Sequence, residues 1–214
     1  KALADAGLHD VLEMDHPQHL PVPRHQQRRA ACHGDPAHER QVLLDDALDL
    51  VAESGTDALT YEALAKRNNI SKGGLLYHFP SKVALLEAMT ERLIERYADA
   101  RRKATESLPD SPGRALTGYA IASIHNHSSA DAASARLKMA GVWNNQAGRL
   151  YFEQRFREMR EGNSFERAAV VHLAVEGLWF MELTGLSPFS QTERQQVVDT
   201  LLRLAAGGEI EASE

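Results

Sequence analysis

Residues 60–82 constrain the fold of this chain more than any other stretch. Thr60 can cap a helix that ends just before Asn69, because a threonine hydroxyl accepts a hydrogen bond from the first turn of a helix. At Asn69 the chain must turn sharply, and asparagine tolerates a left-handed backbone at low cost. Ser71 is placed to cap a second short helix over residues 72–78. The pattern predicts two short helices around a tight turn, which is a helix-turn-helix unit.

The start of the second helix favours contact with a groove. It opens with Lys72, Gly73 and Gly74, although each glycine costs a helix roughly 1 kcal/mol relative to alanine. Without side chains, the glycines let the helix approach DNA closely, while Lys72 can reach a base edge or a phosphate. A surface loop with permissive glycines is the alternative. The cap, turn and core positions around the glycines all agree with a helix.

A longer helix is predicted to follow this helix-turn-helix unit, beginning at Ser81. Its apolar stripe has helical spacing and consists of Leu85, Leu86, Met89, Leu93 and Tyr97. Lys82 falls in the first turn, where N–H groups and a cation together suit a phosphate. Serines and prolines in residues 107–113 predict the end of the helix.

A set of apolar, turn and polar residues runs through the segment from about Glu39 to Met89. Its members are Val42, Leu43, Ala47, Leu50, Val51, Gly55, Leu59, Thr60, Leu64, Ala65, Ile70, Ser71, Leu76, Tyr77, His78, Phe79, Ser81, Lys82, Leu85 and Leu86. With this set, the segment resembles the DNA-binding domain of the TetR family of bacterial transcriptional regulators. The family usually has glycine where this chain has Asn69, and asparagine can adopt the same geometry.

The resemblance implies roles for seven residues in binding double-stranded DNA. Thr60, Tyr77 and Lys82 would contact phosphates, and His78 is a weaker phosphate candidate. Ser71, Lys72 and Gly73 would approach bases or the backbone beside them.

Charge placement agrees with this role, although the chain is acidic with a formal net charge of −6. Residues 63–86 contain Lys66, Arg67, Lys72 and Lys82 and no aspartate or glutamate. Because each unit has so few cations, we expect modest non-specific affinity and a need for two subunits.

The whole chain is predicted to be all-α. A three-helix helix-turn-helix domain, residues 39–85, would be joined by a long helix to a helical effector-binding and dimerisation domain, residues 86–207, followed by a tail at 208–214. Helical periodicity recurs at residues 116–129, 132–143, 150–160, 166–186 and 192–206. No apolar stretch approaches a membrane span and nothing resembles a cleavable signal, so we expect a cytoplasmic protein without a membrane partner.

Residues 1–38 fall outside the resemblance and are rich in histidine, proline and arginine. Three explanations compete: a basic arm that touches DNA, a structural appendage, or non-native sequence. The histidine spacing has no metal-ligand logic, and Cys32, as the only cysteine, excludes an internal disulfide. We expect neither a metal nor a cofactor.

By resemblance, the C-terminal domain forms a cavity for a small-molecule effector. The candidate lining residues are Tyr119, His125, Met139, Trp143, Asn144, Phe152 and Trp179. Core packing is the alternative for each of them. Trp143 beside Asn144 is the more suggestive pair, because an apolar ring next to an amide suits a pocket with orienting polar groups. The identity of the effector cannot be read from these residues.

Two apolar stripes near the C-terminus predict a homodimer. By resemblance, residues Val171, Val175, Leu178, Val198, Leu201 and Leu202 pack against a second subunit. The alternative is that these stripes complete the core of a monomer. A dimer also suits DNA, because one recognition helix reads few base pairs whereas a two-fold pair reads an inverted repeat.

The resulting hypothesis is a regulator, most simply a repressor of a palindromic operator that an effector releases. One rival is an interaction module that uses its helix-turn-helix only for protein contacts, and the acid-free basic segment argues against it. The other rival is an enzyme. No paired carboxylate or nucleophile motif accompanies His125, His127 or His172, so no catalytic residue is expected.

Overall fold

The computed structural model describes residues 35–124 and 129–209. Within them the chain forms nine α-helices, one short 3-10 helix and no strand, which confirms the all-α prediction for this part of the chain. The described residues from Arg40 onward belong to one compact unit. Of the predicted N-terminal arm, residues 1–34 lie outside the description, as do residues 210–214 of the predicted tail.

The helix-turn-helix region consists of four helical segments. They are α1 (Pro36–Ser54), a 3-10 turn (Thr56–Ala58), α2 (Tyr61–Asn68) and α3 (Lys72–His78). Leu64, Leu75 and Phe79 are at most 1% exposed and pack in one core with α1. The predicted pairing of the two short helices is therefore confirmed.

The predicted caps and turn are present. The Thr60 hydroxyl accepts a hydrogen bond from the Ala63 N–H at 3.0 Å, and the Ser71 hydroxyl accepts one from the Gly74 N–H at 3.0 Å. Asn69 has φ 49° and ψ 41°, and among the described residues it is the one non-glycine with a positive φ. The left-handed turn places α3 across α2 without a glycine.

The remaining helices form the body around α5. They are α4 (Lys82–Glu106), α5 (Arg114–Ile124), α6 (Ser129–Met139), α7 (Gln146–Met159), α8 (Phe165–Thr184) and α9 (Gln191–Ala205). Helix α5 packs against α4, α7, α8 and α9. Gly118 lets α4 and α5 approach, because a Cβ atom at this position would lie 2.1 Å from the Thr105 hydroxyl oxygen.

Helix α4 begins at Lys82, so the predicted domain boundary after residue 85 falls inside a continuous helix. Residues 40–214 form one compact unit, and the boundary stays a prediction. The helix predicted over 132–143 ends earlier, at Met139, because Gly141 turns the chain with φ 73°. Across the described helices, none combines the length and hydropathy that a membrane crossing requires.

Candidate DNA-contacting surface and effector cavity

Six of the seven residues predicted to contact DNA are exposed. They are Thr60, Ser71, Lys72, Gly73, Tyr77 and Lys82, whereas His78 is half-buried. Tyr77 is 81% exposed, so its ring contributes little to the core and its hydroxyl is accessible. Lys82 is the first residue of α4 and directly follows the N-cap residue Ser81. The helix-turn-helix unit thus presents hydroxyl, ammonium and backbone N–H groups, the donor types that proteins use on phosphates.

Arg67 and Lys72 of this segment each form an ion pair with a glutamate. Arg67 makes two hydrogen bonds to the Glu53 carboxylate of α1, at 2.7 and 2.9 Å, and so ties α2 to α1. Lys72 lies 2.5 Å from a carboxylate oxygen of Glu62, and both side chains are exposed. The hydrogen bond from Lys72 lowers the pKa of Glu62. The Glu62 carboxylate thus offsets the positive charge that Lys72 presents at the start of α3.

A small cavity lies between helices α4, α5, α6, α7 and α8 of the body. Its volume is about 40 Å³, and its polar lining includes Tyr97, Arg101, Asp131, Lys138, Tyr151, Arg155 and Glu176, with Trp179 beside them. Charged side chains are costly to bury unless they are paired. A cluster of five ionisable carboxylate, ammonium and guanidinium groups inside a helical body therefore calls for a functional explanation.

Lys138 lies in an aromatic cage. Its Nζ atom is 4.3 Å from the centroid of the Trp179 ring, 5.3 Å from that of Phe152 and 5.5 Å from that of Trp143. The same atom is 3.4 Å from a carboxylate oxygen of Glu176. Burial lowers the pKa of Lys138, and Glu176 opposes that shift. The cage and the carboxylate together hold a cation inside the protein.

Arg155 is the most deeply buried of the three cations in this cavity, with its side chain 7% exposed. One guanidinium nitrogen, Nη2, donates to Glu176 at 3.2 Å, and the group lies over the rings of Phe152, Tyr119 and Tyr151. Its Nε atom is buried and has no hydrogen-bond partner among the described residues. A buried, unsatisfied donor on a cation is expensive, which makes it a candidate ligand contact.

Glu176 forms ion pairs with both Lys138 and Arg155. Burial acts to raise its pKa, but Lys138 and Arg155 outweigh that effect, so the pKa is lowered and the group is a carboxylate. It also accepts a hydrogen bond from the Tyr119 hydroxyl at 3.3 Å. That hydroxyl oxygen lies 2.9 Å from Nδ1 of His172, whose pKa is lowered by burial and by Arg155. His172 is therefore held by Tyr119, which favours the structural role over a metal or catalytic one.

An outer cleft adjoins the inner cavity. It has a volume of about 520 Å³ and shares Arg101, Tyr151 and Arg155 with the inner cavity. Arg101 donates a 2.6 Å hydrogen bond to the Tyr151 hydroxyl and lies over that ring. No carboxylate among the described residues pairs with Arg101. The two spaces meet at a wall that carries two guanidinium groups.

The predicted effector-contacting residues divide into three groups. Trp179 lines the inner cavity and Tyr119 lines the outer cleft. The rings of Trp143 and Phe152 contact the Lys138 ammonium group. Met139, which is 70% exposed, and Asn144, also exposed, line neither the inner cavity nor the outer cleft. His125 lies outside the described residues.

Sequence reasoning missed the charged lining of the inner cavity. It consists of Arg101, Asp131, Lys138, Arg155 and Glu176. For Arg155 a signal was present, because Tyr151, Arg155 and Met159 are spaced by four along α7 and share its buried face. A charged residue on an apolar stripe is a site candidate. Among the described residues, no cluster of histidine, cysteine, aspartate and glutamate is arranged to hold a metal ion.

The six predicted dimer residues face the chain's own core. Val171, Val175, Leu178, Val198, Leu201 and Leu202 are each at most 8% exposed. They belong to the core of the described chain, which agrees with the alternative that these stripes complete a monomer core. Helix α8 also has an exposed apolar stripe, and we define the α8 face as Val170, Leu173 and Phe180, which are 53%, 70% and 45% exposed.

Two family models match the chain. The model described as "Bacterial regulatory proteins, tetR family" matches residues 43–89, and the model described as "Tetracyclin repressor-like, C-terminal domain" matches residues 113–206. Together they cover about two thirds of the chain.

Characterised relatives match over a short segment. The tetracycline repressor protein class D of Escherichia coli is 37% identical over 60 residues, which is 28% of this chain and 28% of that protein. The negative transcriptional regulator IcaR of the biofilm operon icaADBC of Staphylococcus aureus strain Newman is 42% identical over 45 residues, 21% of this chain and 24% of that protein. The matches thus span under a third of either relative's length.

Solved structures share the fold over most of the chain. A TetR-family transcriptional regulator from Rhodococcus sp. superposes with a TM-score of 0.61 at 21% identity, covering 78% of this chain and 97% of that one. A regulator of the TetR/AcrR family from Thermobifida fusca gives a TM-score of 0.54 at 18% identity, covering 81% and 99%. The fold and its exposed surface define a helix-turn-helix protein with a helical body. Within that class, the chain belongs to the TetR family of bacterial regulatory proteins.

Proposed function

We propose that this chain is a transcriptional repressor, not an enzyme, that binds a palindromic operator in double-stranded DNA as a homodimer and leaves it when a small-molecule effector binds. The observation that carries the proposal is the exposed helix-turn-helix unit, with Tyr77 and Lys82 accessible beside α3. Relatives of this segment are named as repressors and as a negative regulator. Action on chromosomal DNA would place the protein in the cytoplasm.

In the proposed complex, α3 enters the major groove. Lys72 and Gly73 approach the base edges, while Thr60, Tyr77 and Lys82 contact phosphates on either side. The phosphate contacts fix the position of the helix, and sequence is read by the groove contacts. A two-fold pair of such helices reads two half-sites about one helical turn apart.

Helix α6 supports the proposed coupling between effector and DNA. Lys138 of α6 lines the inner cavity, and two residues earlier Arg136 donates a 3.1 Å hydrogen bond to the carbonyl oxygen of Val51 at the end of α1. Ala133 and Leu137 of the same helix belong to the core that contains α2 and α3. An effector that moves α6 would therefore shift the helix-turn-helix unit, and the state with the better effector contacts would dominate.

Selection of operator DNA tests the proposal. Purified full-length protein is mixed with fragmented bacterial DNA at a stated salt concentration, and the retained fragments are sequenced and footprinted. We expect a protected inverted repeat and a complex that weakens as the salt concentration rises. A protein that retains no specific fragment at low salt would exclude the regulator and favour the interaction module.

A second expectation concerns Glu62. Glu62→Gln should strengthen binding to the selected operator severalfold, because it removes a negative charge near the phosphates and releases Lys72 from its ion pair. Titration by fluorescence anisotropy measures the effect. Glu153→Gln is the matched control, since Glu153 is exposed on α7 and its loss should leave operator affinity unchanged. Equal affinities for the wild type and Glu62→Gln would show that Lys72 does not engage DNA.

A further inference from the structure

We infer that the effector is a small organic monoanion, a carboxylate with an apolar body, whose carboxylate binds between Arg101, Lys138 and Arg155. This inference rests on the proposed function, since it names the chemical class of the ligand for that cavity. Charge, unused hydrogen-bond donors and the sizes of the two spaces each support it.

The charge balance of the inner cavity leaves one positive charge in excess. Among the described residues its lining includes three cations, Arg101, Lys138 and Arg155, and two carboxylates, Asp131 and Glu176. Glu176 is shared by Lys138 and Arg155, and Asp131 accepts a hydrogen bond from Tyr97. One added negative charge would balance the lining. A cationic ligand would meet Lys138 and two guanidinium groups and would be repelled.

Hydrogen-bond donors on the two guanidinium groups of the lining remain available. Within the described part of the chain, Arg155 Nε is buried without a partner, and Arg101 donates only to a neutral hydroxyl, that of Tyr151. A guanidinium group presents its donors in a planar fork that matches the two oxygens of a carboxylate. A ligand carboxylate would therefore satisfy a buried donor that the protein alone leaves unpaired.

The sizes of the two spaces separate the head of the ligand from its body. The inner cavity has a volume of about 40 Å³, and one water molecule needs roughly 10–15 Å³ of cavity volume. The inner cavity therefore has room for only a few atoms. The outer cleft of about 520 Å³ has room for a larger group and includes Ile94, Ala98, Ala115 and Met159 in its lining. An apolar body would lie there, with the carboxylate at the shared wall.

The charge of the outer cleft does not favour a second anionic group on the ligand. Arg101 and Arg155 belong to the wall shared with the inner cavity and are already counted there, so the remaining charged lining of the cleft is Arg102 against Glu106, Glu158 and Glu161. A phosphate monoester carries nearly two negative charges at neutral pH, more than the inner cavity can balance. The structure thus favours a monocarboxylate over a phosphorylated ligand.

Calorimetry on the DNA-free, full-length protein tests the inference with matched pairs of probes. The carboxylates are benzoate, phenylacetate, hexanoate and octanoate, and each is compared with its own primary amide, which has nearly the same shape and no charge. Phenyl phosphate is the dianionic probe. We expect at least one carboxylate to bind about tenfold or more tightly than its amide, because charge-assisted hydrogen bonds are roughly twice as strong as neutral ones.

Variants locate the binding. Arg101→Gln should weaken the best carboxylate about tenfold and leave its amide unchanged, because it removes a charge-assisted contact and retains a polar side chain. Lys103→Gln, which removes an exposed charge from the same helix, should change neither affinity. Arg155→Gln should act like Arg101→Gln, with exposed Arg157→Gln as its control. Circular dichroism confirms that each variant is folded.

The outcomes are separable from those of the operator test. Preference for amides, equal binding of both members of every pair, tighter binding of phenyl phosphate, or no binding of any carboxylate at tens of millimolar would each overturn the inference. An unchanged carboxylate affinity in Arg101→Gln and Arg155→Gln would overturn the location. Because no DNA is present, a protein that selects no operator can still pass this test, and one that represses can still fail it.

Discussion

Leu173→Glu is expected to convert the protein to a monomer and to abolish high-affinity operator binding. Leu173 is 70% exposed at the centre of the α8 face, between Val170 and Phe180. Exposed apolar side chains at helical spacing mark a contact surface. Near a two-fold axis, the substitution would place two carboxylates close to one another in an apolar interface, where unpaired charges are costly.

The effect on DNA should be larger than the local change suggests. In a dimer, the second half-site is bound intramolecularly, and loss of that linkage weakens the complex by about 10²–10⁴-fold. Analytical ultracentrifugation measures the subunit state, and a mobility shift measures operator affinity. A Leu173→Glu protein that remains dimeric would place the interface elsewhere.

Leu150→Glu is the matched control for this substitution. Leu150 is also an exposed leucine, 55% accessible, but it lies on α7 and outside the α8 face. The same change of chemistry there should leave the protein dimeric and its operator affinity intact. If both variants became monomers, a general loss of solubility or folding would explain the result better than the α8 face does.

Local chemistry made the helix-turn-helix unit predictable from the sequence. Caps, turns and short-range packing depend on residues within one or two helical turns. The hydroxyl of Ser71 bonds three residues ahead, and Asn69 sets a turn by its own backbone preference. Such features need no knowledge of distant neighbours, and the structure has them where the sequence predicted them.

The proposed dimer surface and the charged cavity depend on long-range packing. Helix α8 is apolar on two faces, so periodicity alone could not decide whether Val171 or Val170 turns outward. Only the packing of α8 against α5 and α9 selects the inner face. Glu176 meets Lys138 and Arg155 across three different helices, and no spacing within one helix reveals that meeting.

Glu176→Gln is expected to destabilise the folded protein by about 2 kcal/mol in the absence of ligand. The variant would leave Lys138 and Arg155 inside the body without the carboxylate that pairs with both. Breaking a fully buried pair costs more, but the Glu176 side chain is 30% exposed and water screens part of the effect. Urea denaturation at neutral pH measures the change, and exposed Glu153→Gln is expected to have no comparable effect.

The stability difference between the wild type and Glu176→Gln should depend on pH. The pKa of Glu176 is lowered in the folded state, so its stabilising contribution is present above the ordinary carboxyl range and is lost as the pH falls through the folded-state value. The stability difference between wild type and Glu176→Gln should therefore be full at neutral pH and should shrink on acidification. A difference that stays constant with pH would mean that the carboxylate charge is not what stabilises the pair.

The same variant should bind an organic carboxylate more tightly than the wild type, although it is less stable. Glu176 competes with a ligand carboxylate for Lys138 and Arg155, and its removal raises the positive excess in the cavity. Added benzoate should accordingly raise the unfolding midpoint of Glu176→Gln more than that of the wild type. If Glu176 served packing alone, the variant would lose stability without gaining carboxylate affinity. Loss of stability together with gain of carboxylate affinity thus separates a binding-site charge from a purely structural one.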